Sequence, residues 1–173
     1  LVGIQVKGLK MKYYKDTNNK PFVFEDNVTP EIIKRVENIH KTTLTEITQS
    51  EYEAMIAPTF EQVKEQKKSE IKTAFNNALK AGFVCSNGIK MDADINDISK
   101  LKAGFDLATT INATTLDVRD YDDITHYNLT LDEVNTMIVE LGVNYQTLLK
   151  KKWDLEAQVN NAKTTAELEA IVW

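Results

Sequence analysis

The sequence predicts an α+β fold: a small N-terminal β-rich module, a long connecting helix, and a helical C-terminal domain with two β-hairpins. Three observations carry this reading. Period-two alternation and β-branched runs gather in the first third of the chain. Apolar residues recur at helical spacing through most of the remainder. Two turn signals, Asn87-Gly88 and Asp122-Asp123, each separate short runs suited to strands. The 173 residues suffice for one medium domain or two small ones. A hydrophobic share of 42% and a charged share of 27% place the chain among globular rather than disordered sequences.

The first module spans residues 1–57. Val2, Ile4 and Val6 alternate as one strand face does. Residues 12–15 and 21–25 flank the polar run Asp16-Thr17-Asn18-Asn19-Lys20, which reads as a hairpin loop. Thr29-Pro30 opens a short helix, with Thr29 as N-cap, Pro30 at the first helical position, and Ile32, Ile33, Val36 and Ile39 as its apolar set. Residues 42–48 read as a further strand. Ser50 with Glu53 forms a capping box for a turn or two that end near Pro58.

The connecting helix covers residues 58–81, with Thr59 and Gln62 as a capping box. Its stretch 61–70 is nearly all polar and reads as a solvated bridge. Ile71, Ala74, Phe75, Ala78 and Leu79 then dock on the C-terminal core, and Gly82 is the C-cap.

The C-terminal domain spans residues 71–173. Asn87-Gly88 predicts a type I′ hairpin between 83–86 and 89–91. A helix follows over 95–108 with Ile95, Ile98, Leu101 and Phe105 inward. A second hairpin, 114–129, turns at Asp122-Asp123. It pairs Val118 with Tyr127 and Leu116 with Leu129, leaving Asp117, Arg119, His126 and Asn128 on the opposite face. Thr130 and Glu133 cap a helix over 131–141, which Gly142 ends. A helix over 144–162 carries Tyr145, Leu148, Leu149, Trp153, Leu155 and Val159. Thr164 and Glu167 cap the last helix, and the two tryptophans seal the core.

A formal net charge of -5 and a pI of about 5.1 disfavour contact with phosphate backbones, so no nucleic-acid partner is expected. No segment has the apolar length of a bilayer span, and residues 1–10 lack a signal-peptide core, so no membrane partner is expected. Cys85, the single cysteine, admits neither an intrachain disulfide nor a cysteine zinc site. It reads as a small buried hydrophobe.

Asp92, Asp94 and Asn96 fall at positions 1, 3 and 5 of an EF-hand-like loop, which makes them the one candidate cation site. Position 6 is Asp97 instead of glycine, and position 12 is Ala103 instead of glutamate. The competing reading makes Asp94 the N-cap of helix 95–108. His40 and His126 lie in no nucleophile motif, and no phosphate-cradling glycine loop or His-Glu-x-x-His occurs. No catalytic residue and no cofactor is therefore expected. Lys150-Lys151-Lys152-Trp153 reads as an exposed helix face with Trp153 turned inward.

The order of pieces in the second half resembles a known family. Ala81-Gly82-Phe83 leads to Asn87-Gly88-Ile89-Lys90-Met91-Asp92-Ala93-Asp94, then Arg119-Asp120, His126 and Leu129-Thr130. The order closes with Lys151-Lys152-Trp153-Asp154-Leu155, Ala162-Lys163-Thr164 and Ile171-Val172-Trp173. From Lys68 onward this resembles an uncharacterised domain at the C-terminal ends of bacteriophage tail-fibre and tail-associated proteins. Lys12-Tyr13-Tyr14-Lys15, Pro21-Phe22-Val23-Phe24 and Leu44-Thr45-Glu46-Ile47-Thr48 are similar to the start of phage tail-fibre assembly and accessory proteins. The usual C-terminal half of those assembly proteins does not follow.

The resemblance implies a non-enzymatic virion protein of the tail or fibre, made in the bacterial host cytoplasm. Residues 1–57 would be its attachment module, and its partners other phage virion proteins and further copies of itself. An assembly chaperone absent from the virion and a receptor- or glycan-binding fibre tip are the alternatives. Against the glycan reading stands the inward placement expected for Trp153 and Trp173.

Overall fold

The computed structural model describes residues 10–173, and the alternating Val2, Ile4 and Val6 lie outside the described residues. The chain is α+β and divides into two compact units, Leu1–Thr59 and Phe60–Trp173.

In the first unit, β1 (Met11–Lys15) and β2 (Pro21–Glu25) pair antiparallel, with Tyr13 opposite Val23. Asp16 closes their loop because its short carboxylate reaches the backbone ahead of it. Its Oδ1 accepts from the amides of Asn18 and Lys20, both at 2.8 Å. α1 (Pro30–His40) starts at the expected Thr29-Pro30 step. β3 (Thr45–Ile47) adds to the free edge of β1, giving the order β2-β1-β3.

This third strand is shorter than the expected 42–48. The Leu44 amide donates to Glu37 Oε1 at 2.7 Å, and the Thr42 hydroxyl lies 3.1 Å from that of Thr17. Side chains thus take the contacts that a longer ladder would use. α2 (Gln49–Ile56) is capped by Thr48 and Glu51, not by Ser50 and Glu53. Thr48 is still extended at the end of β3, so the helix starts two residues earlier than expected.

The apolar set of α1 also needs correction. Ile33 and Val36 are half-buried, whereas Ile32 and Ile39 are exposed. Among the described residues of this unit, Tyr14 and Leu44 are the buried apolar side chains.

The second unit opens with α3 (Phe60–Lys80). The hairpin β4 (Phe83–Val84) and β5 (Lys90–Met91) leads to α4 (Ile95–Thr110). A second hairpin, β6 (Thr115–Arg119) and β7 (Thr125–Thr130), leads to α5 (Leu131–Asn161) and α6 (Thr165–Ala170). Two apolar clusters hold it together. One gathers Cys85, Met91, Ile98, Val118, Val134, Met137 and Leu141 from the hairpins, α4 and the start of α5. The other gathers Ile71, Leu155, Val159, Leu168 and Ile171 from α3, the end of α5 and the C-terminal segment.

The expected solvated bridge at 61–70 does not exist as such. Phe60 and Val63 pack on the second cluster, and Lys64 Nζ reaches the Asn160 carbonyl at 3.2 Å. Positions 60, 63, 67 and 71 share one helix face, and Lys67 on it keeps only 17% of its side chain exposed. Counting charges along the segment hides that stripe.

Gly142 does not end a helix either, because α5 runs unbroken for 31 residues. Glycine inside a helix costs about 1 kcal/mol against alanine. Burying one leucine side chain contributes about 1.5–3 kcal/mol, and Leu141 and Leu155 are both buried on opposite sides of the glycine. No proline follows to enforce a stop. Ile95, expected inward, sits exposed in the first turn of α4, while Ile98 takes the core position.

Candidate functional site

Both hairpins of the second unit use one turn design, and it differs from the expected two-residue turns. In the first, Gly88 N–H donates to the Cys85 carbonyl at 2.8 Å and Cys85 N–H to that of Ile89 at 2.9 Å. In the second, Asp123 N–H donates to the Asp120 carbonyl at 3.1 Å and Asp120 N–H to that of Ile124 at 2.9 Å. Each loop therefore has three residues and ends on a left-handed one, Gly88 (φ 84°) or Asp123 (φ 64°). A type I′ turn would need Asn87 at positive φ, and only Gly88 of that pair has it.

The second hairpin carries a bulge between Leu116 and Val118. Leu116 faces Leu129 as expected, but Val118 faces His126 and not Tyr127. Asn128, at φ 56°, absorbs the extra residue, and its amide donates to Asp117 Oδ1 at 2.8 Å. The shift brings His126 to the half-buried side and turns Tyr127 out to solvent.

His126 thereby meets Asp120, with Nε2 2.8 Å from Oδ2. The other oxygen of Asp120 accepts from the amides of Asp122 and Ile124, at 2.9 and 2.8 Å. The His126 hydrogen bond, seconded by these amides, holds the Asp120 carboxyl below its ordinary range. The pair organises the turn, and its effect is felt one residue on. Tyr121 N–H donates to the Lys90 carbonyl at 2.9 Å, and its hydroxyl donates to that of Lys80 at 3.0 Å. The Lys90 ammonium sits 3.7 Å from the Tyr121 ring centre. Nothing local in Asp120-Tyr121-Asp122-Asp123 marks Tyr121 as a tie, except that a large aromatic is unusual in so polar a turn.

A cleft of about 360 Å³ lies between β5, α4 and this hairpin, and Asp92, Asp97, Lys100, Asp117, Arg119 and Asp123 line it. Most of its charges answer one another. Lys100 Nζ is 2.7 Å from Asp97, and Arg119 Nε is 2.9 Å from Asp123. Burial, then the nearby charges of Asp97, Asp94 and Asp123, raise the Asp92 carboxyl.

The three candidate cation ligands separate here. Asp94 is the N-cap of α4, its Oδ1 accepting from Asn96 N–H at 2.7 Å and Asp97 N–H at 3.2 Å. Asn96 stands exposed in the first turn, and Asp92 belongs to the cleft. Among the described residues, no three His, Cys, Asp or Glu side chains are grouped to hold a metal ion.

Cys85 is buried, as expected for a small hydrophobe. Burial, with the Glu140 carboxylate nearby, pushes its thiol up to about 11. Glu140 also accepts from the Ser86 amide at 3.0 Å, a contact no local pattern announces. His40 closes α1 and packs edge-on against Phe22, with ring centres 5.4 Å apart.

Trp153 reverses expectation. It is 55% exposed, while Lys152 turns inward, its Nζ 5.6 Å from the Phe75 ring centre. Continuity of α5 explains this. Leu155 is buried, and residue 153 lies about 200° around the helix from it. Trp173 does take a core-edge position on the second cluster, beneath the Lys151 ammonium at 4.6 Å.

A family model described as "Domain of unknown function (DUF4376)" matches residues 62–172. The chain belongs to the DUF4376 family. The DUF4376 match takes in nearly all of α3, both hairpins, the acidic cleft and the whole of α5. No curated protein and no solved structure matches the chain. No helix among the described residues, inside the DUF4376 span or before it, is long and apolar enough to cross a membrane.

Proposed function

We propose that this chain is a non-enzymatic structural protein of a phage tail or fibre, acting through contacts with other virion proteins and with copies of itself. One observation carries the contact reading. Large apolar side chains stand on the surface of the second unit's helices: Leu107 on α4, with Ile111 just past its end, and Val139, Val143 and Trp153 on α5. Val139, Val143 and Trp153 share one face of α5 by their spacing, and an exposed apolar face favours a macromolecular partner. The phage setting draws its support from the ordered set of residues between Ala81 and Trp173. Mass spectrometry of purified virions from the native host tests it. Peptides of this chain at stoichiometric level are expected, and their absence overturns the structural role in favour of an assembly chaperone.

A second reading has gained an observation. Trp153 and Tyr127 are solvent-exposed aromatics, of the kind that stack on sugar rings. The inward Trp153 that weighed against glycan binding is not what the fold contains. A glycan array probed with the intact protein and with Trp153→Ala separates the readings. Trp153-dependent binding supports a fibre-tip role, and no binding supports a protein-contact role.

A further inference from the structure

On α5, residues 139, 143, 146, 150, 153 and 157 are all exposed. They alternate at steps of four and three, the spacing that keeps a stripe facing a partner helix. The stripe reads Val139, Val143, Gln146, Lys150, Trp153, Ala157 and covers about 27 Å of helix. The opposite side of the same helix is already used, with Leu141 in one apolar cluster and Leu155 and Val159 in the other.

We propose that this stripe pairs antiparallel with the same stripe on a second copy of the chain. A two-fold axis near position 148 sets Val139 against Ala157, Val143 against Trp153 and Gln146 against Lys150. Each layer then joins a large group to a small one, or a cation to a neutral amide. One patch serves both copies, as a two-fold interface demands. A parallel pairing fails on the same residues. It stacks Lys150 on Lys150 and Trp153 on Trp153, a like-charge layer beside an oversized one.

Two features of α5 fit the antiparallel pair. Gly142 has no packing reason inside its own chain, since a Cβ there meets nothing within 4 Å. It borders the layer that receives the partner's Trp153, where a missing side chain makes room for an indole. The two acids that approach across the interface, Glu140 and Asp154, are already engaged. Glu140 is turned to the Ser86 amide at 3.0 Å, and Asp154 is held by Lys150 at 2.5 Å.

The inference rests on the self-association in the proposed function and not on the phage setting. The intact protein is examined by light scattering after size exclusion. A mass twice the 19.6 kDa of the chain is expected. Trp153→Lys and Gly142→Leu should each shift it toward the monomer with an unchanged far-UV spectrum. Direction is read by mixing tagged Gln146→Cys with untagged Lys150→Cys under mild oxidation. The mixed disulfide is expected to exceed both same-variant products.

Same-variant products in excess, or a dimer indifferent to both substitutions, overturn the inference. A wild-type monomer does so too. If that monomer still co-purifies with virions, the structural role stands without this interface. A dimer absent from virions leaves the interface standing without that role.

Discussion

At the scale of single residues, two side chains have environments that dictate measurable behaviour. Cys85 is buried, and its thiol lies well above neutral pH, so it stays protonated where most thiol reagents are used. In the folded protein it is expected to react with an aromatic disulfide reagent at pH 8 at least about a hundredfold more slowly than in denaturant, since the thiolate is the reacting form. Timed colour release with and without guanidinium checks this. Fast labelling of the native chain would place Cys85 outside the core.

Asp120 is the second case. Its folded-state carboxyl is lowered by His126 and by turn amides. A lowered carboxyl contributes stability above its unfolded value, and that contribution is lost as pH falls through the folded one. The thermal midpoint should therefore drop as pH falls through and below the ordinary carboxylate range, and Asp120→Asn should lower the midpoint at pH 7 while flattening the acid-side fall. Scanning calorimetry across that range decides it, and an undiminished slope in the variant would assign the acid sensitivity to other groups. Little of this pair was legible in the sequence. His126 read as outward-facing because alternation counts every residue, and a bulge at Asn128 adds one that the count does not see.

At the scale of elements, capping chemistry was the most legible signal. Thr130 with Glu133 and Thr164 with Glu167 both form the reciprocal boxes their spacing implies. Thr48 with Glu51 was missed because Ser50 with Glu53 offers the same spacing two residues later, and only the end of β3 decides between them.

Glycine was less legible, since one letter serves opposite purposes. Gly82 has φ +72° and ends α3, and a Cβ there would lie 2.8 Å from Tyr121 Cδ2 and 2.9 Å from the Met91 carbonyl. Gly82→Ala is expected to destabilise the protein by about 2 kcal/mol or more, from left-handed strain of roughly 1–2 kcal/mol plus overpacking. Gly142 is helical and has open space at the same atom. In a Trp153→Lys background, where no partner indole contends for that space, Gly142→Ala is expected to stabilise by up to about 1 kcal/mol, because alanine has the higher helix propensity. Urea unfolding of each variant against its own parent measures both, and shifts of the same sign would overturn the distinction.

At the scale of the whole molecule, the two units differ in how much they bury. The second has two apolar clusters and a helix of 31 residues that takes part in both. Among described residues, the first buries Tyr14 and Leu44 and leaves Ile32, Ile39 and Ile56 exposed. Among the described residues its sheet has three strands, of which β2 and β3 are edges, and α1 contributes no buried side chain. The shift between period-two and helical spacing falls near the boundary of the two units, and α3, expected as a connector over 58–81, lies within the second. The thinness of the first core was not legible, because Ile32, Ile33, Val36 and Ile39 look like a core-facing set in sequence.

Local stability follows buried apolar contact and hydrogen bonds shielded from water. Hydrogen exchange on the intact chain should therefore find amides of β1, β2 and α1 exchanging on the order of tenfold or more faster than those of α5 near Met137 and Val159. Peptide-resolved mass spectrometry can follow both sets in one sample. If self-association through α5 contributes, dilution should speed exchange at Val139 and Val143 before it affects Tyr14. Equal protection across both units would mean that the first gains stability from contacts beyond its own described side chains, and its exposed isoleucines would then be the residues to substitute first.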